Sequence, residues 1–240
     1  MNITKEEIKF IDNYLIKNEV KHWDVRLELL DHIVSAVEDK MTEDGISFNE
    51  ALLEVHQGFG NQFIEFSIPK GKIFENGLYQ SNIGFKKFTR KKQKEIRRKH
   101  WKAYWRTFLP FVFSFRFLVE ILVLGVFTFL SYQFSVKSGL LTLVMGVIIS
   151  EFIKLIYGGF EKFKKKSLNM QLAVASSLLI TQIPFWIMML FNSQYEGAET
   201  KPYYILFIIF FMLFVFSRHG LNHYLSIYKT YKTRFTLLMS

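Results

Sequence analysis

Four long apolar stretches set the terms for this chain: the residues near Phe111 to Tyr132, Gly139 to Tyr157, Leu172 to Phe191 and Tyr203 to Phe216 carry little charge. A bilayer core of roughly 30 Å takes about 20 apolar helical residues, and in lipid an open chain can satisfy its backbone only as helix. The last stretch is short and is expected to extend by a turn at each end. Burying four such helices in one soluble core would need unusually long apolar runs, so four membrane spans are the expectation.

The rest of the chain is not lipid-like. Half of the residues are hydrophobic and Phe occurs 27 times, yet the mean hydropathy is only +0.15, which makes the chain a composite. Charge divides it the same way. Residues 1–83 carry 8 basic and 15 acidic side chains, residues 84–107 carry 11 and 1, and residues 108–240 carry 12 and 5, for formal charges of −7, +10 and +7. An acidic front, a basic collar and a basic hydrophobic remainder are three different physical objects. The expected architecture is therefore all-α: an acidic three-helix cytoplasmic module over 1–66, a linker and basic juxtamembrane helix over 67–107, and a four-span domain with a short basic tail over 108–240. The absence of Cys excludes disulfides, thiolate chemistry and Cys-containing zinc sites. The first twenty residues lack a basic-then-apolar leader pattern, so the front is expected to stay in the cytosol.

Lys and Arg in short loops set orientation. The collar, the loop with Lys162, Lys164, Lys165 and Lys166, and the tail with Arg218, Lys229, Lys232 and Arg234 are basic, whereas "FSVKS" and "NSQYEGAETKP" are not. Both termini are expected on the cytoplasmic side. Trp101, Tyr104, Trp105 and Phe108 recur at helical spacing on one face and are expected to anchor at headgroup depth. The cations upstream face an anionic leaflet. Phosphate attraction alone would also serve a nucleic acid, but no readout module accompanies the collar, so no specific nucleic acid is expected.

In the front, Thr4 with Glu7 and Ser47 with Glu50 fit the capping box. Leu27, Leu30, Val34, Val37 and Met41 form an apolar stripe that Gly45 is placed to end, and Ala51, Leu52, Val55 and Phe59 repeat the pattern before Gly60. So small a unit has a thin core and is expected to lean on another surface. The segment "RLELLDHIVSAVEDKMTEDGISFNEALLEVHQGFG" resembles the HAAS module of bacterial membrane proteins: an acidic helix, a Gly-containing turn, a capped "SFNEAL"-type helix and a closing Gly. The resemblance covers about the first 60 residues and implies a regulatory or interaction module next to membrane spans, in a family commonly associated with PadR-type transcriptional regulators. It implies no catalytic residues. Residues 61–83, with Pro69, Gly71 and Gly77, read as linker.

Three groups of side chains could carry chemistry. Glu28, His32, Ser35 and Asp39 share one face of the second helix, a candidate surface for a cytosolic protein partner; as metal ligands Glu28 and His32 alone do not close a site. His219 and His223 stand one turn apart but lack a third ligand and the Glu of a zinc-hydrolase helix. Arg116 and Glu120 on the first span, with Glu151 and Lys154 on the second, form a membrane-embedded charge cluster, both carboxylates about 10 Å inside. Ionisable groups at that depth face the bundle interior and pair, either across the spans or within each helix, with Arg116 and Lys154 snorkelling in part. Ser176 and Ser177 reach the same level. No cofactor and no catalytic set is expected. The function read from the chain is a non-catalytic regulatory membrane protein; the alternative is a transporter or permease component using the charge cluster.

Overall fold

The computed structural model describes residues 3–61, 82–159, 167–175, 177–198 and 200–239. Within them all regular structure is helical: α1 Lys5–Lys17, α2 Trp23–Glu43, α3 Phe48–Gly58, α4 Ile83–Val112, α5 Phe115–Phe134, α6 Val136–Gly159, α7 Leu168–Val174, α8 Ser177–Gln194 and α9 Tyr203–Met239. The linker expected at 61–83 and the Lys162–Lys166 loop fall almost wholly outside the described residues. The chain divides into two compact units, residues 1–96 with 166–169, and residues 97–165 with 170–240. The basic collar is one helix, α4, that runs from the first into the second.

In the first unit both capping boxes form. Thr4 accepts from the Glu7 amide while Glu7 takes the Thr4 amide, and Ser47 and Glu50 do the same. Gly45 follows α2 at φ +64, the left-handed conformation glycine tolerates best. At the end of α1 the same conformation falls to Glu19, φ +64, with Val20 N donating to Leu15 O at 3.1 Å and Glu19 N to Ile16 O at 3.1 Å. That is a Schellman ending in which a residue with a side chain takes the glycine position.

The apolar stripe of α2 is rotated from the expected one. Val25, Leu29, Ile33 and Val37 are buried, while Leu27 stays 38% exposed. The sequence offers two adjoining stripes, and packing against α1 and α3 selects the one that is β-branched at three of its four positions. The first turns of α4 complete the thin core. Phe85 is 1% exposed, with its ring 5.9 Å from Tyr14, 5.9 Å from His56 and 5.4 Å from Phe59. Residues 167–169 join this unit through Asp24, which accepts from Ser167 Oγ at 2.9 Å, Leu168 N at 2.9 Å and Asn169 N at 3.0 Å.

His56 lies at the centre of that core, 2% exposed and hydrogen-bonded through Nδ1 to the Tyr14 hydroxyl. Burial pushes its pKa down to about 4. Below the ordinary histidine value the unfolded chain takes up a proton that the folded core refuses, so stability is complete above about pH 6.5 and is lost as pH falls toward 4, by up to about 3 kcal/mol. Glu7 and Glu50, held low by hydrogen bonds from the Thr4 and Ser47 backbones, act in the same direction at still lower pH. Hydrogen exchange of α1–α3 in the full-length protein should accelerate over that window, and His56→Leu should flatten the slope.

In the second unit, three helices are long and apolar enough to cross a membrane: Phe115–Phe134, Val136–Tyr157 and Tyr203–Leu237. Only 6% of the α5 window is buried, and Leu122, Phe127 and Phe129 are each about 60% exposed, which no soluble core accounts for. The stretch expected as the third span, Leu172 to Phe191, is not one helix: α7 ends at Val174 and α8 begins at Ser177. The side chains of Ser176 and Ser177 lie outside the described ones. The last helix is much longer than the expected Tyr203 to Phe216. Its 37 residues span about 55 Å.

Ser135 makes the tight turn from α5 to α6, its Oγ accepting from Ser138 N at 3.0 Å. Helices α5 and α6 are therefore antiparallel, whereas α6 and α9 run the same way. A side chain at Gly139 would meet Phe207 at 3.2 Å and one at Gly146 would meet Phe214 at 3.0 Å, so the two helices close on each other at matching seven-residue intervals. The core behind them holds Leu140, Leu143, Phe191, Leu206 and Phe210, with Phe117, Val147 and Phe214 below.

Candidate functional site

The face of α2 read as a partner surface is covered in part by α4. Glu28 is ion-paired with Lys92, which also reaches Glu95 at 3.1 Å, and the His32 ring stands 6.2 Å from Phe88, edge to face. The hydrogen bond it donates to Glu28 holds the Lys92 ammonium above its usual pKa. Nearer the start of α4, Glu19 accepts from Asn82 Nδ2 at 3.3 Å and lies 3.4 Å from Lys86 Nζ. Ser35 and Asp39 remain exposed. Gly84 N donates to Asn61 Oδ1 at 2.9 Å, at a point where a side chain on residue 84 would overlap the backbone of Phe59.

In the second unit the four embedded charges separate into two sets. Lys154 Nζ lies 2.6 Å from Glu151 Oε1, and Ser217 Oγ donates to the same oxygen at 2.6 Å; Glu151 is fully buried and Lys154 is 3% exposed. Glu120 instead takes Arg218 Nη2 at 2.7 Å and Arg116 Nε at 3.3 Å. The pairing within each helix is the one adopted, and the cross-span pairs Arg116 with Glu151 and Glu120 with Lys154 do not occur. Only Arg116 snorkels, its side chain 83% exposed; Lys154 does not. Arg218, read from the sequence as a tail cation, is a third embedded positive charge, so the layer is not balanced. Its signal was present in the chain: the buried face of α9 resumes beyond it at Leu221, Tyr224 and Tyr228.

The aromatic face of α4 also divides. Trp101 and Trp105 are exposed and 5.5 Å apart, as an interfacial anchor requires. Tyr104 turns inward, donating to Phe216 O at 2.9 Å with its ring 4.4 Å from His219. Burial, with the Glu151 charge adding, pushes its phenol up to about 12, so it serves as a hydrogen-bond donor. His219 is fully buried with Nε2 on the Tyr104 carbonyl at 3.0 Å, and His223 meets His100 edge to face at 6.0 Å. Among the described residues no group of three or more His, Asp or Glu side chains converges on a point where a metal ion could sit.

Between α4, α6, α7 and α9 lies a cavity of about 660 Å³. Arg97, Arg98, Lys154, His100 and His223 supply its polar wall; Trp101, Trp105, Leu172 and Phe216 supply most of the rest. Among the described lining residues none is a carboxylate. Lys154 reaches this wall because position 220 is glycine: a side chain there would stand 2.9 Å from its Nζ. Sequence reading could not assemble this cavity, since its lining comes from four separated segments. No family model, no curated protein and no solved structure matches this chain.

Proposed function

We propose that this chain is a non-catalytic regulatory protein of a bacterial cytoplasmic membrane, crossing the bilayer four times with both ends in the cytosol. In this reading its acidic module engages a cytosolic protein when released from its own basic helix. The observation that carries the reading is the occupation of the α2 face by α4 through Glu28–Lys92 and His32–Phe88, with Glu19, at the end of α1, paired to Lys86 of the same helix. Half-exposed ion pairs are weak and salt-dependent, which suits a contact meant to open. Glu19 sits in a left-handed backbone unusual for a side-chain-bearing residue and directs its carboxylate to that contact, a placement that favours a functional role. The resemblance of the module to HAAS sequences is in keeping with this, and a transcriptional regulator of the PadR type is the partner class it suggests.

The fourth crossing is supported by helix direction. Two spanning helices that follow one another in the chain and run parallel, as α6 and α9 do, need the intervening segment to return across the bilayer. Phe191, near the end of α8, packs with Leu140 and Leu206 near the starts of α6 and α9, the arrangement a returning helix would make.

The test is charge exchange in the full-length protein. Glu19→Lys with Glu28→Lys should speed hydrogen exchange of residues 83–96 by roughly fivefold, as should raising salt from about 50 mM to about 500 mM. Adding Lys86→Glu and Lys92→Glu should restore protection. Protection that ignores both salt and charge would sink the releasable contact. The second reading, a transporter component, draws on Glu151, whose second carboxylate oxygen is buried with no hydrogen-bond partner among the described residues. It requires Glu120→Gln with Glu151→Gln to abolish a proton-coupled flux while the protein stays folded.

A further inference from the structure

From the cavity in the second unit we infer that the protein holds one anionic phospholipid, its phosphate on Arg97, Arg98 and Lys154 and its acyl region against Trp101, Trp105 and Phe216. Three observations converge. First, the wall carries two arginines that make no ion pair among the described residues, beside the Lys154 ammonium, which keeps Glu151, itself not a lining residue, as its partner. A guanidinium binds phosphate oxygens in a bidentate fork, and basic pockets between spanning helices select anionic headgroups.

Second, the remaining wall is aromatic and aliphatic, so the cavity is amphipathic. Inorganic phosphate would satisfy the cations yet leave the Trp101, Trp105 and Phe216 rings uncovered, whereas a lipid covers both. Third, the volume, about 660 Å³, falls within the roughly 300–1,000 Å³ of small-ligand sites and leaves room for a headgroup with the first part of a chain. The lining helices include α6 and α9, two of the three apolar enough to span a bilayer, so the cavity opens where lipid is the ambient ligand. This is a defined stoichiometric site, distinct from the diffuse attraction of the collar to a charged leaflet.

The experiment titrates the full-length protein in an uncharged maltoside detergent with phosphatidylglycerol, phosphatidylcholine or inorganic phosphate, reading bound lipid by native mass spectrometry and tryptophan fluorescence. One phosphatidylglycerol per chain is expected, bound at least tenfold more tightly than phosphatidylcholine. Arg97→Ala with Arg98→Ala, both exposed positions whose change leaves the fold intact, should reduce that preference below about threefold. Leu172→Trp, which fills the apolar end and keeps every cation, should weaken phosphatidylglycerol about tenfold. Equal binding of the two lipids, an unaltered preference in the double arginine variant, or an unaffected Leu172→Trp protein would each overturn the site. Inorganic phosphate binding as tightly as phosphatidylglycerol would do so as well, by showing that the acyl wall contributes nothing.

Discussion

Replacing Lys154 by Met is expected to destabilise the second unit by about 3–5 kcal/mol, the usual cost of leaving a buried charge without its partner. Among the described residues the ammonium is the only cation on Glu151, at 2.6 Å, and the carboxylate is fully buried. With Lys154 gone, Ser217 remains as one donor to Oε1, while Oε2 has none among the described residues. The carboxylate must then take up a proton or draw water between α6 and α9. In detergent the melting temperature should drop by roughly 10 °C. Pairing Lys154→Met with Glu151→Gln removes the stranded charge and should recover most of the loss, since exchanging a buried ion pair for groups of similar volume is often neutral. A single variant as stable as the parent would mean that the ammonium escapes to water and that the pair does not organise the α6–α9 contact.

Gly84→Ala should have the second largest effect, on the first unit, and with the opposite sign to helix propensity. Alanine in the exposed interior of a helix gains about 1 kcal/mol over glycine. At position 84, however, the new methyl would lie 2.0 Å from Phe59 O and 2.7 Å from Phe59 C, both rigid backbone atoms. The start of α4 must back away by more than about 1 Å, and a core this closely packed cannot follow it. That movement breaks Gly84 N to Asn61 Oδ1 and draws Phe85 from among Tyr14, His56 and Phe59. A loss of at least about 3 kcal/mol is expected, comparable with truncating a buried phenylalanine. It should appear as fast hydrogen exchange over 83–96 and a lower melting temperature for α1–α3. Gly58→Ala in the same unit, where nothing lies within 4 Å of the added atom, serves as the internal comparison and should be neutral or mildly stabilising. Equal outcomes at the two positions would show that the close approach at Gly84 is not needed.

The parts legible from the sequence are those written in local chemistry. Ser and Thr three residues before Glu specify the starts of α1 and α3, because the side chains answer backbone groups within one turn. Apolar runs longer than about 20 residues specify helices that need lipid, because backbone solvation leaves no alternative there. The shifted stripe of α2 was not legible, since two adjacent stripes both satisfy helical periodicity and only contact with α1 and α3 chooses between them. The break between α7 and α8 was hidden for a related reason: hydropathy averages over a window of side chains and does not register where a backbone helix stops.

The candidate site divides along the same line. Glu120, Glu151 and Lys154 announced themselves as ionisable residues inside apolar runs, and so did Arg116. Which of them would pair was decided by tertiary structure: α9 brings Ser217 to Glu151 and Arg218 to Glu120, and the chain separates those partners by 66 and 98 residues. Composition and short-range periodicity determined a helical, membrane-suited chain with an acidic front and a basic collar, because those properties act within a few turns. Which face of α2 is buried, how the charges pair and where the amphipathic cavity opens were decided by packing alone, because each depends on surfaces that meet only after distant helices have come together.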